Sequence, residues 1–177
     1  TLDEDGTFAV ETLQSAIGDA RAVLAADING DGTPDIVRAS VATDEVVWYS
    51  NDGTGTFGAS QSISTAFVNP RSLDAADFDG DGIVDVLVAF RGEDGTPGDG
   101  GVTRLAHSGS GLSWTPTPVV TADSVLTAVS ADIDGNGTLD VVAGSVDGDS
   151  LAWYSNDGTG SFSLGRAFAT GLEDVQA

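Results

Sequence analysis

Ala76-Asp77-Phe78-Asp79-Gly80-Asp81-Gly82-Ile83-Val84-Asp85-Val86-Leu87 decides how this chain is read. Two further copies of this stretch occur, Ala26-Asp27-Ile28-Asn29-Gly30-Asp31-Gly32-Thr33-Pro34-Asp35-Ile36-Val37 and Ala131-Asp132-Ile133-Asp134-Gly135-Asn136-Gly137-Thr138-Leu139-Asp140-Val141-Val142. The leading Asp residues, 27, 77 and 132, are 50 and 55 positions apart. Self-similarity at such a period marks a repeat architecture.

A second motif recurs out of phase with the first. Trp48-Tyr49-Ser50-Asn51-Asp52-Gly53-Thr54-Gly55-Thr56-Phe57 returns as Trp153-Tyr154-Ser155-Asn156-Asp157-Gly158-Thr159-Gly160-Ser161-Phe162. The middle copy reads as a decayed Leu105-Ala106-His107-Ser108-Gly109-Ser110-Gly111-Leu112-Ser113-Trp114. Each period divides into short strands. In the first these are Arg21 to Ala26, Asp35 to Ser40, Glu45 to Ser50 and Thr56 to Ile63. Asn51-Asp52-Gly53 is a turn signal, because these residue types tolerate positive φ. No helical period is sustained; Gln14 to Leu24 comes nearest, and Gly18 interrupts it. Four strands in about 50 residues predict an all-β chain of three four-stranded β-propeller blades. The whole of 1–177 reads as a single repeat domain, with repeats near 6–54, 55–111 and 112–160 and a further one starting at 161–177. Thr7 to Thr12 reads as a fourth strand. Propellers have about 4–8 blades, so three imply a piece of a longer chain, or a ring closed by a homo-oligomer or larger complex.

Composition narrows the function. The 177 residues hold 28 Asp plus Glu against six Arg and no Lys, a formal charge of −22. That excludes a nucleic-acid partner and an anionic membrane surface. No apolar run reaches the roughly 20 residues of a bilayer span, so no membrane insertion is expected. Zero Cys excludes disulfides, zinc-thiolate sites and a Cys nucleophile, and the single His107 excludes a multi-histidine metal site.

The Asp-rich loops carry the chemistry. Side-chain oxygens fall at loop positions 1, 3, 5 and 9: Asp27, Asn29, Asp31 and Asp35; Asp77, Asp79, Asp81 and Asp85; Asp132, Asp134, Asn136 and Asp140. Position 7, Thr33, Ile83 or Thr138, offers a backbone carbonyl. A glycine beside the third ligand lets the chain turn tightly round an ion. Hard oxygen ligands in a flexible loop suit Ca2+ better than magnesium, which wants a tighter octahedron. Ten of the 28 acids lie at these positions, and clustered carboxylates repel one another without a cation. Three Ca2+ sites are therefore expected. An EF-hand needs a Glu at position 12 and flanking helices; here position 12 is Arg38, Val88 or Ala143, and strand formers follow.

The loop and the Trp-Tyr-Ser-Asn-Asp-Gly-x-Gly-x-Phe segment together resemble the FG-GAP or VCBS-type repeats of integrin-like β-propellers. The resemblance spans essentially the whole chain. It implies calcium held between the first and second strands of each blade, with the ligand roles falling on the residues just named. Phe57-Gly58-Ala59-Ser60 matches the family's Phe-Gly-Gly-Ala-Pro signature only in part.

Trp48 and Trp153, beside Tyr49 and Tyr154, suit either sugar stacking or packing between blades. Adjacent strand residues point to opposite faces, so each pair cannot form one platform, which favours packing. His107 has no recognisable triad partner. Arg91 to Gly100 is a long insertion that is either functional or a solvated loop. No catalytic cluster is visible, so no enzyme is expected. The chain reads as a structural or adhesive protein-interaction scaffold in an extracellular, cell-surface or lumenal setting. The alternatives are a carbohydrate-binding, lectin-like module, a non-catalytic part of a polysaccharide-degrading enzyme, or an accessory subunit of a large assembly. The protein or glycan ligand is not named by the residues.

Overall fold

A computed structural model describes residues 12–13, 18–93, 96–107, 113–146 and 150–170. These form three four-stranded antiparallel sheets, each an up-and-down meander in chain order. The first holds β1 (Ala20–Ala26), β2 (Asp35–Ser40), β3 (Glu45–Tyr49) and β4 (Gln61–Ser64). The second holds β5 (Pro70–Ala76), β6 (Asp85–Phe90), β7 (Gly101–His107) and β8 (Trp114–Thr121). The third holds β9 (Val125–Ala131), β10 (Asp140–Ser145), β11 (Ser150–Asn156) and β12 (Phe162–Thr170). No helix occurs among the described residues. The strand expected over Thr7 to Thr12 falls almost wholly outside them, as do the decayed turn at 108–112 and the segment 171–177.

Alternation within the strands decides which faces meet. Val37, Ala39, Val46 and Trp48 of the first sheet pack on Val86, Val88 and Leu105 of the second. The opposite face of the second sheet, Leu87, Ala89 and Val102, packs on Ala128, Val141 and Ala143 of the third. The second sheet is thus apolar on both faces, and β6 reads Val-Leu-Val-Ala without alternation. The opening strands also touch one another in series, β1 to β5 and β5 to β9. Asp74 of β5 accepts hydrogen bonds from Ser130 N and Oγ of β9, both at 2.7 Å. The three sheets therefore stand side by side with their first strands together, and their Asp-rich loops lie at matching places.

Trp48 is 5% exposed within the first interface. That places it in packing, as the alternation argument expects. Tyr154 packs against the second core, and burial raises its pKa above the ordinary tyrosine value.

Two differences from the sequence reading are local. The fourth strand of the first sheet begins at Gln61 rather than Thr56. The preceding backbone is spent on turn bonds: Asp52 Oδ1 accepts from Thr54 N at 2.8 Å, and Gly58 N donates to Ser50 O at 2.8 Å. The second difference is one of register. In the first sheet Val37 faces Trp48, and in the third Val142 faces Trp153. In the second sheet the equivalent partner, opposite Leu87, is Arg104. Arg104-Leu105, not Leu105-Ala106, thus stands where Trp-Tyr stands elsewhere. His107 then takes the place of Asn51 and Asn156, facing Trp114 as they face Phe57 and Phe162.

Candidate metal centres

Each Asp-rich loop joins the first two strands of its sheet and ends on the first residue of the second strand. Asp35, Asp85 and Asp140 lie opposite Ala26, Ala76 and Ala131 and are 0%, 1% and 0% exposed. A carboxylate so deeply placed needs donors or a cation. Asp35 accepts from Ile28 N at 3.1 Å and Asn51 N at 2.8 Å. Asp140 accepts from Ile133 N at 3.1 Å and Asn156 N at 2.9 Å. Burial raises the Asp35 pKa, and these backbone donors oppose the rise.

The turn itself is drawn by the remaining oxygens. The two oxygens of the first Asp take separate backbone donors. Gly32, Gly82 and Gly137 each donate to Oδ2, of Asp27 at 2.9 Å, Asp77 at 2.9 Å and Asp132 at 3.0 Å. The fifth residue caps the seventh: Thr33, Ile83 and Thr138 N–H groups donate to Asp31, Asp81 and Asn136 Oδ1 at 2.8, 2.8 and 2.7 Å. Both loop glycines need positive φ; in the second loop Gly80 is at 74° and Gly82 at 84°. A Cβ at Gly82 would meet nothing within 4 Å, so conformation, not space, selects glycine there.

The third position separates the loops. Asp77, Asp79 and Asp85 bring one carboxylate oxygen each within 4.8 Å of one another, and so do Asp132, Asp134 and Asp140. In the first loop this position is Asn29, whose side-chain amide donates to Asp31 Oδ2 at 2.9 Å. The third loop offers a compact, all-oxygen set with one buried and two exposed acids, and this donor chemistry fits a hard divalent cation. The first loop has the same number of carboxylates, Asp27, Asp31 and Asp35, with its Asn at the third position instead of the fifth.

The second loop carries a feature the sequence reading missed. Arg104, 3% exposed, donates from Nε to Asp85 Oδ2 at 2.7 Å and from Nη2 to Asp79 Oδ2. Its Nη1 reaches Gly160 O of the third sheet at 3.4 Å. Burial disfavours the guanidinium charge, but Asp85 and then Asp79 outweigh it and hold its pKa above the ordinary arginine value. Burial likewise raises Asp85, against the pull of Arg104. Asn51 and Asn156 were also missed as supports. Asn156 Nδ2 bonds Leu139 O at 2.9 Å and crosses to Phe78 O of the second loop at 2.8 Å. Their signal is an Asn at one fixed place in both intact Trp-Tyr-Ser-Asn motifs.

No curated protein matches the chain in sequence. Among solved structures, the crystal structure of the V. cholerae biofilm matrix protein Bap1 is similar at a TM-score of 0.44 and 24% identity. The match covers 80% of this chain and 19% of that one, so the chain spans about a fifth of that protein's length. A family model described as the FG-GAP-like repeat matches residues 27–88, from the first Asp of the first loop to the strand after the second. Residues 27–88 are thus similar to an FG-GAP-like repeat, over a segment with an Asp-rich loop at each end.

Proposed function

We propose that this chain is a calcium-binding module of β-propeller blades that serves as a rigid structural or adhesive interaction scaffold, without catalysis of its own. The observation that carries the reading is the repeated placement of a buried Asp, Asp35 or Asp140, behind exposed oxygen ligands in the same loop. In the first loop Asp27, Asn29, Asp31, Asp35 and the Thr33 carbonyl hold the ion. In the third loop Asp132, Asp134, Asn136, Asp140 and the Thr138 carbonyl do so. Calcium supplies positive charge and cross-links each loop. The chain's own residues pre-shape the sites: the N–H groups of Asn51 and Asn156 fix the buried acids, and the glycines bend the loop towards them.

The ring is completed either by further blades of a longer chain or by other copies. The setting is extracellular, surface or lumenal, where free calcium is high. Among the described residues no helix is long and apolar enough to cross a membrane. A charge of −22 favours basic or neutral partners over nucleic acid. A glycan-binding role for the aromatic motif loses Trp48, which is buried in the first core. Sugar binding on a glycan array that disappears in Trp153→Ala is the result that would revive it.

Calorimetric titration with calcium tests the main reading. Heat saturating with affinity on the order of 10⁻⁴ to 10⁻³ M is expected, and Asp27→Asn and Asp132→Asn each remove one site. Absence of heat, together with a melting temperature that calcium does not move, sinks it.

A further inference from the structure

We infer that the second Asp-rich loop takes no calcium, because the Arg104 guanidinium is its built-in cation. The inference rests on the calcium reading of the first and third loops. In those two sheets the register position beside the loop is Trp48 or Trp153, which bears no charge. In the second sheet the same position is Arg104. From there, opposite Leu87, the side chain reaches back to Asp85, the buried acid at the strand's start. It also binds Asp79, the third-position acid. Two of the three carboxylates that approach one another in this loop therefore already share a fixed positive charge.

A divalent ion placed among Asp77, Asp79 and Asp85 would stand a few ångströms from that charge. It would have to share Asp79 and Asp85 with a donor that cannot deprotonate and has no wet place to go at 3% exposure. Removing the guanidinium from buried Asp85 would in turn leave an acid in need of a partner.

The surroundings of the second loop differ in the same direction. Thr33 and Thr138 pass their hydroxyls to Asn51 O at 3.2 Å and Asn156 O at 3.0 Å, tying loop to turn within one sheet. The second loop has Ile83 there, which has no hydroxyl. It is tied across sheets instead, by Arg104 to Gly160 O and by Asn156 to Phe78 O. The second loop is thus a metal-independent clamp between the second and third sheets, while its neighbours respond to calcium.

Native mass spectrometry in calcium buffer counts the ions. The wild-type chain is expected to bind two and Asp132→Asn one. Asp79→Asn, which alters a partly exposed acid and should fold, keeps two. Arg104→Gln, checked for its β-sheet circular dichroism spectrum, gains a third ion and becomes dependent on calcium for its melting temperature. Three ions on the wild type, or loss of one in Asp79→Asn, overturns the inference while leaving the calcium reading intact. No bound ion on the wild type or on Arg104→Gln overturns the calcium reading and this inference with it. If Arg104→Gln does not fold even in calcium, the unchanged count in Asp79→Asn decides.

Discussion

Arg104 and Gly160 compete for one volume across the interface between the second and third sheets. A Cβ built on Gly160 would lie 1.6 Å from Arg104 Nη1, and the residue sits at φ +75°. Its counterpart in the first sheet, Gly55, has φ +89° and nothing within 4 Å of such a Cβ. Both positions penalise alanine for its backbone, by about 1–2 kcal/mol. Only Gly160→Ala also displaces a buried guanidinium from its carboxylates, adding about 1–3 kcal/mol of overpacking. Urea unfolding should therefore place Gly160→Ala well below Gly55→Ala in stability. The excess should shrink when Gly160→Ala is combined with Arg104→Gln, whose shorter side chain vacates the clash. Equal losses in the two glycine variants would mean that Arg104 does not occupy this volume in solution.

At the scale of strands and loops, the cross-sheet ties are unequal. Asn156 is 1% exposed and serves two buried carbonyls, Phe78 O and Leu139 O, while Gly158 N donates to its Oδ1 at 3.1 Å. Asn51, its repeat counterpart, binds Pro34 O at 3.0 Å near the surface. Asn156→Ala leaves buried acceptors without donors and should cost about 2–4 kcal/mol, against roughly 1 kcal/mol or less for Asn51→Ala. Denaturant midpoints read the difference; similar values would show that the link to Phe78 carries no weight. This is also the scale at which the sequence was partly legible. Strand β2 was readable over Asp35–Ser40 because an Asp-rich turn and Val41-Ala42-Thr43-Asp44 bracket an apolar run. The Asp-rich loops between the first and second strands were readable because three copies align. Arg104 was hidden. The second repeat lacks the Trp-Tyr landmark, and the insertion at Arg91 to Gly100 spoils counting from the loop. A one-residue slip in alignment moves every side chain to the other face, which turned a guanidinium among carboxylates into an unremarked strand residue. The cue was a charged side chain inside the otherwise uncharged run Gly101-Val102-Thr103-Leu105-Ala106 of a chain with six Arg in all.

For the whole molecule, charge repulsion and coordination make different predictions. A net charge of −22 strains any compact state, and dissolved salt relieves it by screening, whichever cation is used. Two bound calcium ions change the net charge only to −18. Their larger effect is mass action at loops that exist only in the folded chain. At about 5 mM calcium, sites with affinities on the order of 10⁻⁴ to 10⁻³ M add roughly 1–2 kcal/mol each. For a chain of this size that raises the melting temperature by roughly 5–15 °C in total. Chelation should remove the gain, and about 1 M NaCl should not restore it, because sodium screens at long range without filling an oxygen cage. Magnesium should restore little, since it resists losing the waters that these loops would have to replace. Melting curves in chelator, chelator with NaCl, magnesium and calcium separate the two effects. Full recovery in NaCl would reduce the loops to an acidic surface eased by screening. Recovery in calcium alone would identify coordination as what stiffens the first and third sheets, with the second held by Arg104 in every buffer.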